Sequence, residues 1–247
     1  MVSRGHLTRW GTLKAEGQAM RDIKEQEVVL QVGSERVRAY AALPAKPRGG
    51  MLLIHEWWGL NDWIKEQARR FAQENYLALA VDLYRGKVAT DPEVAHELSR
   101  ALPEDRAMRD LKAGVDWLAK RPELRGKKVG AIGWCMGGGL ALSLALQEPR
   151  LSACVIYYGR LLTDEANLRN LRCPVLGIFG DQDRGIPVES VRQFEATLKK
   201  LGKQVEIHLF QGAGHAFANP NNRRGYNAHA AEEAWRLTIK FLERWMG

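Results

Sequence analysis

Lys128-Val129-Gly130-Ala131-Ile132-Gly133-Trp134-Cys135-Met136-Gly137-Gly138 joins an apolar run to a Gly-x-Cys-x-Gly string. Residues 128–132 read as a buried strand, and the small-residue stretch 138–147 reads as a helix. A chain that turns sharply from strand into helix needs glycines around the turning residue, because the turn is strained and the helix packs close behind it. The spacing is that of a nucleophile elbow, with cysteine where serine is usual. The pentapeptide alone fits a small buried cysteine behind a tight turn equally well. Its surroundings have to choose between the two.

Working outward, the runs 27–32 and 37–43 flank Gly33-Ser34 and predict a hairpin. From residue 50 onward strand and helix patterns alternate. Strands are expected at 51–55, 77–81, 128–132, 153–157, 175–179 and 205–210, and helices at 62–74, 91–100, 105–120, 138–147, 188–201 and 226–245. This predicts an α/β fold, a mostly parallel central sheet flanked by helices on both faces and entered by an antiparallel hairpin. The connection between the strands at 153 and 175 is short, so no large cap domain is expected. Residues 1–25 are polar and weakly periodic, an N-terminal extension with room for one short helix, ahead of a single domain over 26–247.

The chain has 247 residues and a formal net charge of +8. Basic residues are scattered among acids along the helices, without a block of like charge or a nucleic-acid motif, so neither nucleic acid nor a membrane is expected as a partner. Cys135, Cys154 and Cys173 are an odd set without Cys-x-x-Cys spacing, which points away from zinc or a disulfide framework and toward a reducing, cytoplasmic compartment. The sequence contains no signal core or spanning apolar run. Monomer and dimer both remain open.

In open α/β sheets ligands bind beyond the carboxyl ends of the strands. After the strand at 175–179 comes Gly180-Asp181-Gln182-Asp183, and after the strand at 205–210 comes Gly212-Ala213-Gly214-His215. Nucleophile, acid and histidine in this order are the α/β-hydrolase order. Cys135 attacks as a thiolate and needs a base beside it, the role given to His215, whose other ring nitrogen needs a carboxylate. Asp183 is preferred to Asp181, because it lies deeper in the loop, directly before Arg184-Gly185-Ile186-Pro187; Asp181 reads as a turn residue. After the strand at 51–55, Glu56 is expected to point toward the nucleophile, and the N–H groups of Trp57 and Met136 to bind an oxyanion. Trp58 and Trp134 are expected to line the pocket with Trp57, while His55, His6, His96, His208 and His229, and Trp10, Trp117, Trp235 and Trp245, read as structural or surface residues. No metal or organic cofactor is required by this chemistry.

Five motifs in order, His55 to Asn61, Asp82-Leu83-Tyr84-Arg85-Gly86, Gly133 to Gly138, Gly180 to Asp183 and Gly214-His215-Ala216-Phe217, resemble the dienelactone hydrolase (carboxymethylenebutenolidase) family over about residues 26–245. The resemblance implies an α/β-hydrolase fold, a Cys135-His215-Asp183 triad with a thioester intermediate, and a Glu56 that contacts the resting thiol. It also implies two arginines on the substrate carboxylate. Arg85, directly after Tyr84, stands one position from the first, and Asn219 stands at the second, with Arg223 and Arg224 as the nearby cations. Tyr84, Arg85, Trp58, Trp134 and Asn219 are thus the expected substrate contacts. The function expected is cysteine-dependent hydrolysis of lactones or small esters. A broad carboxylesterase or thioesterase is the first alternative, and a noncatalytic thiol sensor or ligand-binding protein the second.

Overall fold

The computed structural model describes residues 22–247. The strands are β1 (Ile23–Val32), β2 (Glu35–Pro44), β3 (Gly49–Ile54), β4 (Tyr76–Val81), β5 (Val129–Trp134), β6 (Leu151–Tyr157), β7 (Val175–Gly180) and β8 (Val205–Phe210). The helices are α1 (Asp62–Gln73), α2 (Pro92–Arg100), α3 (Glu104–Ala119), α4 (Met136–Gln147), the single turn α5 (Glu165–Leu168), α6 (Val188–Lys200) and α7 (Ala228–Met246). The strands form one eight-stranded sheet in the order β1-β2-β4-β3-β5-β6-β7-β8. The β1–β2 and β2–β4 pairings are antiparallel and the rest parallel.

The sequence dictates this layering. Strands β3, β4, β5 and β7 are buried at every position, which a parallel strand covered on both faces requires and which their unbroken apolar runs allow. The apolar stripes of α1 and α7 cover one face through Trp63, Ile64, Phe71, Ala234 and Phe241. Those of α3, α4 and α6 cover the other through Leu111, Val115, Leu142, Val191 and Phe194. Helix starts follow their caps: Asn61 accepts from the Ile64 N–H, Asp91 from Val94 ahead of Pro92, and Asn227 from Ala230. The connection from β6 to β7 carries only α5, so no large cap covers the carboxyl edge of the sheet.

The hairpin closes through Gly33 at φ 59°, a left-handed angle suited to a two-residue turn. Strand β1 begins at Ile23, inside the segment expected to be an extension, and Ile23 to Gln26 pair with Ala41 to Pro44. Its start is polar because this edge strand turns one face to solvent, where Glu25 binds Arg69 and the Tyr40 hydroxyl. Residues 1–21, with His6 and Trp10, lie outside the described residues.

Candidate active site

Strand β5 delivers the chain to Cys135, which adopts φ 54° and ψ −118° before α4 begins at Met136. That left-handed angle is costly for a residue with a Cβ and persists only where the surroundings impose it. They do so by close packing: a Cβ on Gly133 would collide with the Gly137 carbonyl, and one on Gly137 with the Ile54 carbonyl behind it. The Cys135 N–H donates to the Tyr157 carbonyl at 3.0 Å, tying the elbow to β6. Cys135 is half-buried, whereas Cys154 and Cys173 are buried in the core.

The loops after β7 and β8 meet at the thiol. His215 Nε2 lies 3.1 Å from Cys135 Sγ, and His215 Nδ1 lies 2.7 Å from Asp183 Oδ2. The Asp183 side chain is fully buried, and its Oδ1 accepts the Gly185 and Ile186 N–H groups at 2.8 and 3.2 Å. Asp181 instead accepts the Gly212 N–H at 2.7 Å, which ties the loop after β7 to the loop after β8. Burial disfavours a charged His215, but its hydrogen bonds to Asp183 and Cys135 outweigh that and push its pKa up to about 10.

Glu56, 2% exposed, follows β3 into the same cavity. Its carboxylate does not contact the resting thiol: Oε2 accepts the Asn219 amide at 2.6 Å and Oε1 the Tyr158 hydroxyl at 3.3 Å, while the thiol is held by His215. Burial pushes the Glu56 carboxyl up to about 7, against the opposing pull of Asn219, His215 and Tyr158. Tyr158, at φ 38° after β6, also sets its ring edge-on to His215 with centroids 5.3 Å apart. It belongs to the site and was not foreseen. The loop after β6 is another carboxyl end of the sheet, which was the available signal.

The Glu56 pKa has a consequence for stability. The folded protein holds this proton up to about pH 7, whereas an unfolded glutamate releases it near 4.5, so stability falls as pH rises through that window. Glu56→Gln, which keeps the shape and the bond to Asn219, is expected to raise stability by about 3 kcal/mol above pH 7, with the gap closing below pH 4.5. Denaturant melts of both proteins across this range check it; a gap independent of pH contradicts it.

Among the described residues the N–H groups of Trp57 and Met136 have no backbone hydrogen-bond partner, and they stand in the segments that follow β3 and β5. His55 is a structural histidine: its Nδ1 faces the Glu56 carbonyl, its Nε2 accepts the Leu83 N–H at 3.2 Å, and burial lowers its pKa. The cavity over Cys135 measures about 830 Å³ and is lined on the β3 side by Trp57, Trp58 and Asn61 and on the β8 side by His215, Asn219 and residues 221–224.

Three expected contacts require correction. The Arg85 guanidinium makes two bonds to the buried Asp110 of α3, at 2.6 and 3.1 Å, and one to Glu35 at 2.7 Å, so it serves the fold and not the cavity. Tyr84 is 4% exposed and its hydroxyl packs on Met136 Sδ at 3.3 Å, behind the elbow. Trp134, 2% exposed, points to the α1 and α7 side, against Trp63 and Tyr157 at 5.5 and 5.8 Å between centroids. Asn219 lines the cavity as expected, its amide donating to Glu56 and its Oδ1 accepting the Asn221 N–H. Trp58 lies where expected, and Arg223 and Arg224 reach the cavity. Among the described residues no helix is long and apolar enough to cross a membrane.

Residues 37–246 match the model of the dienelactone hydrolase family. Over 228 residues the chain is 33% identical to Protein usf of Aquifex pyrophilus, covering 90% of this chain and 99% of that protein. It is 31% identical over 228 residues to an Aquifex aeolicus protein provisionally named a carboxymethylenebutenolidase, with 90% and 99% covered. A dienelactone hydrolase-like promiscuous phosphotriesterase from metagenomic libraries superposes with a TM-score of 0.83 at 25% identity, over 91% of this chain and 99% of that one.

Proposed function

Since the chain belongs to the dienelactone hydrolase family, we propose that it is a cysteine-dependent hydrolase of lactones or small esters, with Cys135 as nucleophile, His215 as base and Asp183 as the group that orients it. The observation that carries this reading is the unbroken hydrogen-bond chain from Cys135 through His215 to Asp183, built on a strained elbow and opening into a cavity. His215 takes the thiol proton, and the thiolate adds to the carbonyl carbon. The oxygen becomes an anion facing the Trp57 and Met136 N–H groups. Collapse breaks the bond to the leaving alkoxide or enolate, which takes the proton from His215, and leaves an acyl thioester on Cys135. Water then gives a proton to His215, attacks the thioester and releases the acid, and the proton returns to sulfur. The chain's localisation in the cytoplasm belongs to the same proposal.

An activated ester tests it. With p-nitrophenyl acetate the protein is expected to show turnover and one transient acetyl group on Cys135 by mass spectrometry, and alkylation of Cys135 beforehand is expected to abolish both. Undiminished turnover after alkylation rejects the assignment. Labelling of Cys135 without turnover of any ester or lactone favours the thiol-sensor reading. The broad-esterase alternative draws on the absence of a large cap over the cavity, and a panel of neutral esters and lactones decides it.

A further inference from the structure

We propose that Trp57 and Trp58 form an acyl subsite on the β3 side of the Cys135 cavity, which receives a flat aromatic ring carried on the acyl chain of the ester. This rests on the reading of the cavity as an ester-hydrolysing site and narrows its substrate class to aryl-substituted acyl esters.

The chemistry divides the cavity into two halves. The leaving oxygen has to lie within reach of His215, which returns a proton to it, so the alcohol portion extends over the β8 loop. The carbonyl oxygen turns to the Trp57 and Met136 N–H groups. The acyl chain is then left with the β3 half. That half is lined by apolar surface from Trp57, Trp58 and Ala89, whereas Asn219, Asn221 and Asn222 line the β8 half. A volume of about 830 Å³ holds a ring on the acyl side in addition to the alcohol portion.

The two indoles have ring surface to offer. They stand edge to face, with centroids 5.2 Å apart and 65° between planes, and Trp57 meets His96 in the same manner at 5.2 Å and 76°. Both remain half-buried. Trp117 and Trp235, half-buried as well, are covered by the stacked guanidinium groups of Arg121 and Arg70, at 4.9 and 4.0 Å from their rings. Among the described residues no cation stacks on Trp57 or Trp58. A further aromatic ring extends such an edge-to-face cluster, and gains from it beyond the burial of its area.

The segment that carries the indoles is fixed at both ends. The Ala89 N–H donates to the Trp58 carbonyl at 2.9 Å, and the Gly59 N–H to the Glu56 carbonyl at 3.2 Å. Gly59, at φ 92°, sits so close to the Lys87 carbonyl that a Cβ would collide with it. Asn61 follows at once and caps α1. The rings are thus presented by a short turn bonded to the segment after β4, and a preformed wall of this kind binds without first paying to order itself.

The test compares the p-nitrophenyl esters of phenylpropanoic and cyclohexylpropanoic acid, each with its ring at the end of the chain. The carbonyls are equally activated and the saturated ring is at least as apolar, so a preference for phenyl reports the aromatic contact and not burial alone. The native protein is expected to favour the phenyl ester by about threefold or more in kcat/KM. The ratio should fall to about one in Trp57→Leu/Trp58→Leu, which keeps the apolar bulk and the backbone N–H, and persist in Trp57→Phe/Trp58→Phe. A native ratio at or below one, a ratio that survives in the leucine pair, or its equal loss in the phenylalanine pair overturns the subsite. If no ester is turned over, the hydrolase reading fails and binding still decides. The neutral phenylpropanamide should then shift the indole N–H resonances of Trp57 and Trp58 by NMR, and its cyclohexyl analogue should shift them less. Unmoved resonances, or equal shifts with both amides, overturn the proposal.

Discussion

Cys135→Ala is expected to lower kcat for an activated ester by about 10⁴-fold or more, the scale on which removal of a nucleophile acts in a triad hydrolase. The geometry makes the loss specific. The bonds that hold the elbow, from the Cys135 N–H to Tyr157 and from the Gly138 N–H to the Cys135 carbonyl, are backbone bonds that alanine keeps. Alanine also has a single Cβ, so the strain at φ 54° is unchanged. The substitution removes the sulfur 3.1 Å from His215 Nε2, and with it the proposed thiol nucleophile. His215 can still direct water onto an activated ester, which sets a small residual rate. The measurement is steady-state turnover with matched circular dichroism and thermal melts. A folded variant within about tenfold of the native rate removes Cys135 from the mechanism.

The fold was legible because its physics is local. Buried parallel strands such as Val129–Trp134 must be apolar throughout, the helices between them carry an apolar stripe, and Asn61, Asp91 and Asn227 mark three of their starts. The relay was legible for a related reason. Loops from distant parts of the chain converge at the carboxyl end of the sheet, and Cys135, Asp183 and His215 each lie in a segment that directly succeeds a strand. Tyr158, the first residue beyond β6, carries the same signal.

Side-chain direction was the part that sequence did not carry. Arg85 lies in a loop at the carboxyl edge, but its direction is set by Asp110, a buried carboxylate on a helix 25 positions away that would otherwise be an unpaired charge. Trp134 adjoins Cys135 in sequence, yet it is the last residue of β5, and its ring is buried against Trp63 and Tyr157 on the α1 and α7 side. Glu56 and Asn219 were each placed in the cavity correctly, but separately. Their mutual bond directs the Glu56 carboxylate to Asn219 and not to the thiol, and such a pairing depends on two loops meeting across the sheet.

Asp183→Asn is expected to lower kcat by about 10³- to 10⁴-fold while leaving the fold intact, as the corresponding exchange does in a serine-protease triad. The buried carboxylate divides its oxygens: Oδ1 accepts two backbone N–H groups from Gly185 and Ile186, and Oδ2 faces His215 Nδ1. Asparagine has one oxygen and one amide nitrogen. Its oxygen is required at the backbone pair, where an NH₂ group would meet two donors, so its nitrogen must face His215. That nitrogen donates, which obliges Nδ1 to be the acceptor and moves the ring proton to Nε2. Nε2 is then a donor against Cys135 Sγ and cannot take the thiol proton. Loss of the carboxylate also withdraws the charge that helps hold the His215 pKa near 10, so the imidazolium of the variant gives up its proton at a lower pH. Two readouts separate this from a structural defect. The His215 imidazole should titrate at a lower pH by NMR, and the pH profile of kcat should move with it, neither of which results from a loosened loop alone. Asp181→Asn is the matched control, because Asp181 bonds the Gly212 N–H and the Gln182 amide rather than His215, and it should retain most of the rate. Equal losses in the two variants would mean that Asp183 holds the loop and nothing more.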